Sequence, residues 1–217
     1  MATGGNILEI ITQQDSWRMF RIIAETVNGF EELSSKGKCV SIFGSARSTE
    51  DDPTYKTTVE IAYKLGQAGY GVITGGGPGL MEAGNRGAKE AGAESIGLHI
   101  HLPSEQDVNP FVTTRCDFRY FFIRKFMFVK YAKAYIVMPG GMGTIDELSE
   151  AFVLAQTERI RPFPIILYDS SFWGGMLDWL KDVMVKRGYI REQELEPMTV
   201  LDSPDEVVRY IRKHVLV

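Results

Sequence analysis

The sequence has little cysteine. Cys39 and Cys116 are the only two in 217 residues, far apart and each in an apolar, strand-like stretch. They read as buried thiols, which argues against a disulfide framework and against a cysteine-based metal site. No apolar run approaches the ~20 residues that cross a bilayer, and Met1–Gln14 lacks the basic start of a secretory leader. The expected setting is a reducing cytoplasm. Lys and Arg form no block, and the formal net charge is −4, so neither nucleic acid nor an anionic membrane is an expected partner. Two nucleotide signatures are also missing. After Gly75 and Gly77, the third glycine of G-x-G-x-x-G would fall on Leu80; after Gly141 and Gly143 it would fall on Asp146. No G-x-x-x-x-G-K-[ST] occurs either, so nicotinamide and P-loop nucleotide chemistry lose their main support. His99 and His101 alternate along one strand, but no H-E-x-x-H or cysteine cluster supplies further ligands, and no metal is expected.

Ordinary globular composition remains, with 44% apolar and 24% charged residues, enough for one domain with a full core. Strand-like runs (KCVSIFGS, YGVIT, ESIGLHI, TTRCDF, AYIVM, FPIILYD, MTVLD) alternate with helix-like segments from Pro53 to the end. Such alternation predicts an α/β fold, a parallel sheet covered by helices on both faces. Residues 1–36 form a helical extension, with a helix expected over Ser16–Leu33 and Ser16 as its cap. Residues 37–217 form the core.

Two glycine-rich turns, GGGPG at 75–79 and PGGMG at 139–143, each join a strand to a helix. Glycine lets a ligand approach the main chain. A helix start offers unpaired N–H groups and partial positive charge, which suits a phosphate. One such turn is equally well a tight connection; two at one sheet edge point to an anion. Gly76, Gly77, Gly140, Gly141, Met142, Gly143 and Thr144 are the candidates. Arg124 and Lys125 are the only charges within YFFIRKFMFV, a helix apolar all round and so expected to be buried, in the core or in a subunit contact. Arg124 then contacts either an anionic ligand or a structural partner. Glu147 has two readings, a catalytic carboxylate or the last residue of a capping box, Thr144-Ile145-Asp146-Glu147. Ser45, ending the first strand, donates to a ligand or caps its turn. Glu105 lies in a loop at the same edge, where a solvated carboxylate is the commoner fate.

PGGMGTIDE, Pro139–Glu147, matches P-G-G-x-G-T-x-x-E, and RKFM, Arg124–Met127, matches R-K-x-x-M. With GGGPGLM and LPSEQDVNP, these motifs resemble the Lonely Guy family of cytokinin-activating phosphoribohydrolases, long described as lysine decarboxylases. The resemblance runs from about Lys38 to the C-terminus. It implies a Rossmann-like nucleotide-binding core, a homodimer or a multiple of dimers, and no cofactor. It also implies hydrolysis of a nucleoside 5′-monophosphate, AMP or an N6-substituted analogue, to free base and ribose 5-phosphate. Arg124 and Glu147 fall on the family's essential pair, and Gly140–Thr144 on its phosphate loop. Lys125 and Glu105 fall on substrate-contacting positions. The alternative is a non-catalytic carrier similar to the molybdenum cofactor carrier proteins. A lysine decarboxylase would need a pyridoxal-bearing lysine in a recognisable setting, and none is evident.

Overall fold

The computed structural model describes residues 5–101, 107–157 and 164–215, with side chains from Asp15 onward. Among these residues, seven strands form one parallel sheet: β1 (Cys39–Phe43), β2 (Gly71–Thr74), β3 (Ser95–Ile100), β4 (Thr114–Phe118), β5 (Ala132–Val137), β6 (Ile165–Tyr168) and β7 (Met198–Leu201). Their order is β4-β3-β2-β1-β5-β6-β7. The chain winds outward from β1 to β4, then crosses back to β5 on the other side of β1. That reversal leaves a crevice beyond the carboxyl ends of β1 and β5, where open sheets of this kind take their ligands.

Strand β1 shows how the sequence makes two cores. All five residues of CVSIF are buried, as expected of a central parallel strand. Alternate side chains leave opposite faces. Cys39 and Phe43 join a cluster with Leu33, Ile123, Met127, Phe128, Leu148 and Trp173. That face carries α1 (Gly5–Ser34), α4 (Phe121–Tyr131), α5 (Met142–Gln156) and α6 (Ser170–Trp179). Val40 and Ile42 join Ile61, Leu65, Leu80, Val207 and Ile211, from α2 (Pro53–Gln67), α3 (Leu80–Glu90) and α7 (Pro204–His214). Both cysteines are free and buried, and burial pushes the Cys39 thiol up to about 11 and Cys116 to about 12, leaving them unreactive. No described helix is long and apolar enough to cross a membrane.

Three expectations change. The first helix starts at Gly5, not Ser16. No Gly or Pro interrupts Asn6–Asp15, and extending a helix costs less than nucleating one, so Ser16 sits inside the helix rather than at its N-cap. Helix α4 is not buried all round. Ile123, Met127 and Phe128 face the core, while Phe122 and Phe126 are 57% and 49% exposed. Eleven residues make only three turns, and one sheet face covers one side of them. Finally, α5 begins at Met142 with Gly141 as its N-cap and no capping side chain. Thr144 and Glu147 are therefore the third and sixth helical residues, and the capping box does not form.

Candidate active site

A cleft of about 730 Å³ lies at the strand-order reversal. Phe43 to Arg47 line it after β1, and Gly75 and Met81 at the first glycine turn. Phe121 and Arg124 come from α4, and Gly141 to Thr144, Asp146 and Glu147 from the start of α5. Of the residues expected to act together, the cleft gathers Ser45, Arg124, Gly141, Met142, Gly143, Thr144 and Glu147. It does not gather Gly76, Gly77, Gly140 or Lys125. Glu105 lies outside the described residues.

The second turn presents its backbone to the cleft. Gly141, Met142 and Gly143 are exposed, and the first N–H groups of a helix have no partner within it. Thr144 and Ile145 already donate to the Gly141 carbonyl, at 3.0 and 3.1 Å. Gly140 is glycine for a packing reason, since a Cβ there would overlap the Thr144 side chain and press on Gly44. The buried Thr144 thereby locks the turn against the end of β1.

The first turn is occupied with itself. Gly76 has φ of 73°, a conformation that favours glycine. Its N–H donates to Thr74 Oγ1 at 3.0 Å. Its carbonyl accepts from the Asn109 backbone at 2.9 Å and from Asn109 Nδ2 at 3.0 Å. Asn109 Nδ2 also reaches the Gly77 carbonyl and Asn85 Oδ1, each at 3.0 Å. Asn85 in turn accepts from Thr74 Oγ1 at 2.6 Å and donates to Ser95 Oγ at 3.0 Å. A buried, fully connected network of this kind is rigid. The sequence reading missed Asn85 and Asn109: one sits in a helix that also carries Glu82, Arg86, Lys89 and Glu90, the other before Pro110, and neither setting names a partner. What this turn offers the cleft is Gly75, where a Cβ would strike the Arg124 guanidinium.

Arg124 is held by its donors. Its Nε donates to the Leu98 carbonyl at 2.7 Å, and its guanidinium lies 5.4 Å from the Phe128 ring centre. Lys125 points elsewhere, bridging Asp146 at 2.9 Å and Glu150 at 2.8 Å on α5. It ties α4 to α5 and stands beside Glu147 rather than in the cleft. Ser45 Oγ accepts from the Arg47 N–H at 3.1 Å, so it caps its turn while still lining the cleft. Glu147 is half-buried on the wall. Burial raises its carboxyl above the usual range, against the pull of Lys125 and Arg124, and Asp146 and Glu150 add to the rise. A positioned carboxyl of raised pKa is a better base than a solvated one.

A model of the family described as possible lysine decarboxylase matches residues 81–211. The chain is 26% identical over 168 residues to the cytokinin riboside 5′-monophosphate phosphoribohydrolase of Mycobacterium marinum, an alignment covering 72% of this chain and 87% of that protein. It is 28% identical over 181 residues to the cytokinin riboside 5′-monophosphate phosphoribohydrolase LOG of Oryza sativa subsp. japonica, covering 82% and 72%. The fold is shared with the molybdenum cofactor binding protein from Rippkaea orientalis, at a TM-score of 0.61 and 21% identity over 82% of this chain and 98% of that one; at that identity the likeness shows the fold alone. The family match takes in more than half of the chain, from the helix after the first glycine turn through Arg124 and the second turn to α7, and the protein belongs to this family, in which the Lonely Guy phosphoribohydrolases fall.

Proposed function

We propose that the protein hydrolyses the N-glycosidic bond of a nucleoside 5′-monophosphate, AMP or an N6-substituted AMP. The products are the free base and ribose 5-phosphate. One observation carries the reading: the half-buried Glu147 carboxylate lines the same cleft as the open N-terminus of α5 and Arg124. The helix start and Arg124 suit a 5′-phosphate. A carboxylate placed beside them repels that phosphate, so binding alone gives no reason for it. Glycosidic cleavage does. As the bond from ribose C1′ to the base nitrogen breaks, positive charge develops on the sugar, and a fixed carboxylate stabilises it. Water then bonds to C1′ and gives a proton to Glu147 as the bond to the base nitrogen breaks. The departing base takes a proton from solvent, and Glu147 releases its own to solvent, so that no net proton is consumed. The relatives named as cytokinin riboside 5′-monophosphate phosphoribohydrolases support this chemistry.

The same observation disfavours a carrier of a phosphorylated ligand. A decarboxylase is disfavoured by the lining, which includes arginines but no lysine among the described residues. The test is incubation of purified protein with a panel of nucleoside monophosphates, with free base measured. Base release from AMP or its N6-substituted forms is expected. AMP binding without base release from any monophosphate would replace the enzyme by the carrier.

A homodimer, or a multiple of dimers, belongs to this proposal. Phe122 and Phe126 of α4 and Trp17, Phe20, Ile23 and Val27 of α1 are exposed, and Phe126 sits 6.0 Å from Phe30 of α1, ring centre to ring centre. This apolar patch suits a second copy. Light scattering at micromolar concentration should give twice the chain mass or a multiple; a monomer would remove the dimer from the proposal.

A further inference from the structure

Two of the three histidines in the chain converge with one carboxylate at the β3–β4 edge, outside the cleft. His99 stands directly across from Asp117 in the β3–β4 register. His101, two residues on, falls on the same side. His99 Nδ1 is 3.0 Å from Asp117 Oδ1, and His101 Nε2 is 3.9 Å from the same oxygen. The three ligand atoms lie within 4.8 Å of one another, the one such group among the described residues. Sequence spacing alone showed two alternating histidines and no third ligand; the strand register supplies it.

We propose that His99, His101 and Asp117 form a binding site for a divalent first-row transition ion, with zinc the best suited. Two imidazoles and a carboxylate oxygen are a ligand set for such ions, which bind at about 2.0–2.2 Å from N and O donors. Bonds of that length at angles of about 90–110° set ligand atoms roughly 3–3.5 Å apart, so the observed spacings need only a small turn of His101. That side chain is exposed and free to make it. Arg115 does not block the site. Its fork holds Asp117 at 2.7–2.9 Å, with two contacts on Oδ1 and one on Oδ2. The exposed Arg115 would keep the Oδ2 contact and yield Oδ1 to the ion, as the outer hydrogen bond that commonly orients a ligating carboxylate. The adjoining hollow, lined by Glu25, Asn28 and His101 with Arg21 and Arg119, has a volume of about 480 Å³ and room for water ligands. With Asp117 the one carboxylate of the group, and Glu25 in the hollow set among Arg21, Arg115 and Arg119, the site offers little to magnesium or calcium, which rely on several charged oxygens. Directed bonds to imidazole are what it provides. The bound ion would clip the end of β3 to the edge strand β4.

The test uses the full chain without an affinity tag, stripped with a chelator and titrated with cobalt(II) while visible absorption is followed. One cobalt per chain is expected, displaced by zinc and not by magnesium or calcium. His101→Ala and Asp117→Asn should each weaken binding at least about tenfold, and His214→Ala should leave it unchanged. His101 is exposed, so its variant should fold, which circular dichroism would check. Failure to bind one equivalent, unchanged affinity in folded His101→Ala, or dependence on His214 overturns the site. None of these residues lines the cleft, so the outcome is independent of the glycosidase reading.

Discussion

The two glycine turns look alike in the sequence and do different work. Both follow a strand, both open a helix, and both are rich in glycine. In the turn after β2, Gly76 is buried and both of its backbone groups are paired. The first N–H of the following helix is taken too, since Leu80 donates to the Ser45 carbonyl at 2.9 Å. Glycine there serves conformation and close packing: at Gly79, with φ of 67°, a Cβ would strike that carbonyl. In the turn after β5 the backbone is exposed, and no side chain caps the helix. Added Cβ atoms at Gly141 and Gly143 would meet open space, so nothing in the protein demands glycine there except access. A glycine count cannot separate a rigid buttress from an open anion site. The fate of each N–H and C=O does.

The largest expected effect tests whether the open turn binds phosphate at all. Each charge-assisted hydrogen bond contributes about 1.5–3 kcal/mol. Two or more from α5 and Arg124 should favour AMP over adenosine by about a thousandfold or more in kcat/KM. Equal rates on the two substrates would remove the phosphate from the site and make the two turns equivalent again.

Next is Glu147. Because α5 starts at Met142 with Gly141 as its N-cap, Glu147 is its sixth residue and Glu147→Gln disturbs no cap. Turnover should fall about a hundredfold or more, the usual contribution of one positioned base, with AMP affinity kept or improved by the loss of a repelling charge. A folded Gln variant with near-normal turnover returns the chemistry to some other group.

How far the sequence reached can be judged from the same residues. The strand-helix alternation and the apolar strands made the fold legible, because buried parallel strands leave an unmistakable apolar signature. Arg124, Ser45 and the second turn reach one cleft because all stand at strand or helix ends on one edge. What the sequence could not carry was pairing. Thr144–Glu147 had the letters of a capping box, but the helix starts at Met142, where bare backbone faces the cleft. Lys125 adjoins Arg124 in the chain yet points away, since successive helical residues are about 100° apart and Asp146 and Glu150 claim it. The Asn85–Asn109 network joins residues from separate segments, and no local pattern announces such a bond.

Smaller effects should separate the turns directly. Met142→Pro removes one N–H from the open turn, at a helical position where proline is tolerated, after Gly141, whose backbone is already extended. AMP affinity should drop about tenfold to a hundredfold for one lost bond, with melting almost unchanged. Gly76→Ala should do the reverse. Forcing a side chain into positive φ costs about 1–3 kcal/mol, so melting falls while the folded fraction binds AMP normally. If Gly76→Ala weakened AMP binding as much as Met142→Pro, the division of labour between the turns would be wrong.

The smallest effect concerns pH and decides between two reasons for a carboxylate in the Glu147 position. Burial raises its folded pKa, and Lys125 and Arg124 only partly offset this. Unfolded, it titrates in the ordinary range near 4.3. Between those two values the native state holds more protons than the unfolded chain, so this group makes stability fall as pH rises. Below the unfolded value the effect is absent; above the folded value it is complete. Glu147→Gln has no such group. Melting of the two proteins should therefore agree most closely at the acid end of a series from about pH 4 to 8. The variant should gain on the wild type as pH rises, then hold a constant lead. A carboxylate kept for structural pairing with Arg124 and Lys125 would have a lowered folded pKa, and the variant would instead lose ground with rising pH. The sign of that difference shows whether the cleft carries Glu147 at a cost to the fold, as a group retained for chemistry must be, or draws stability from it.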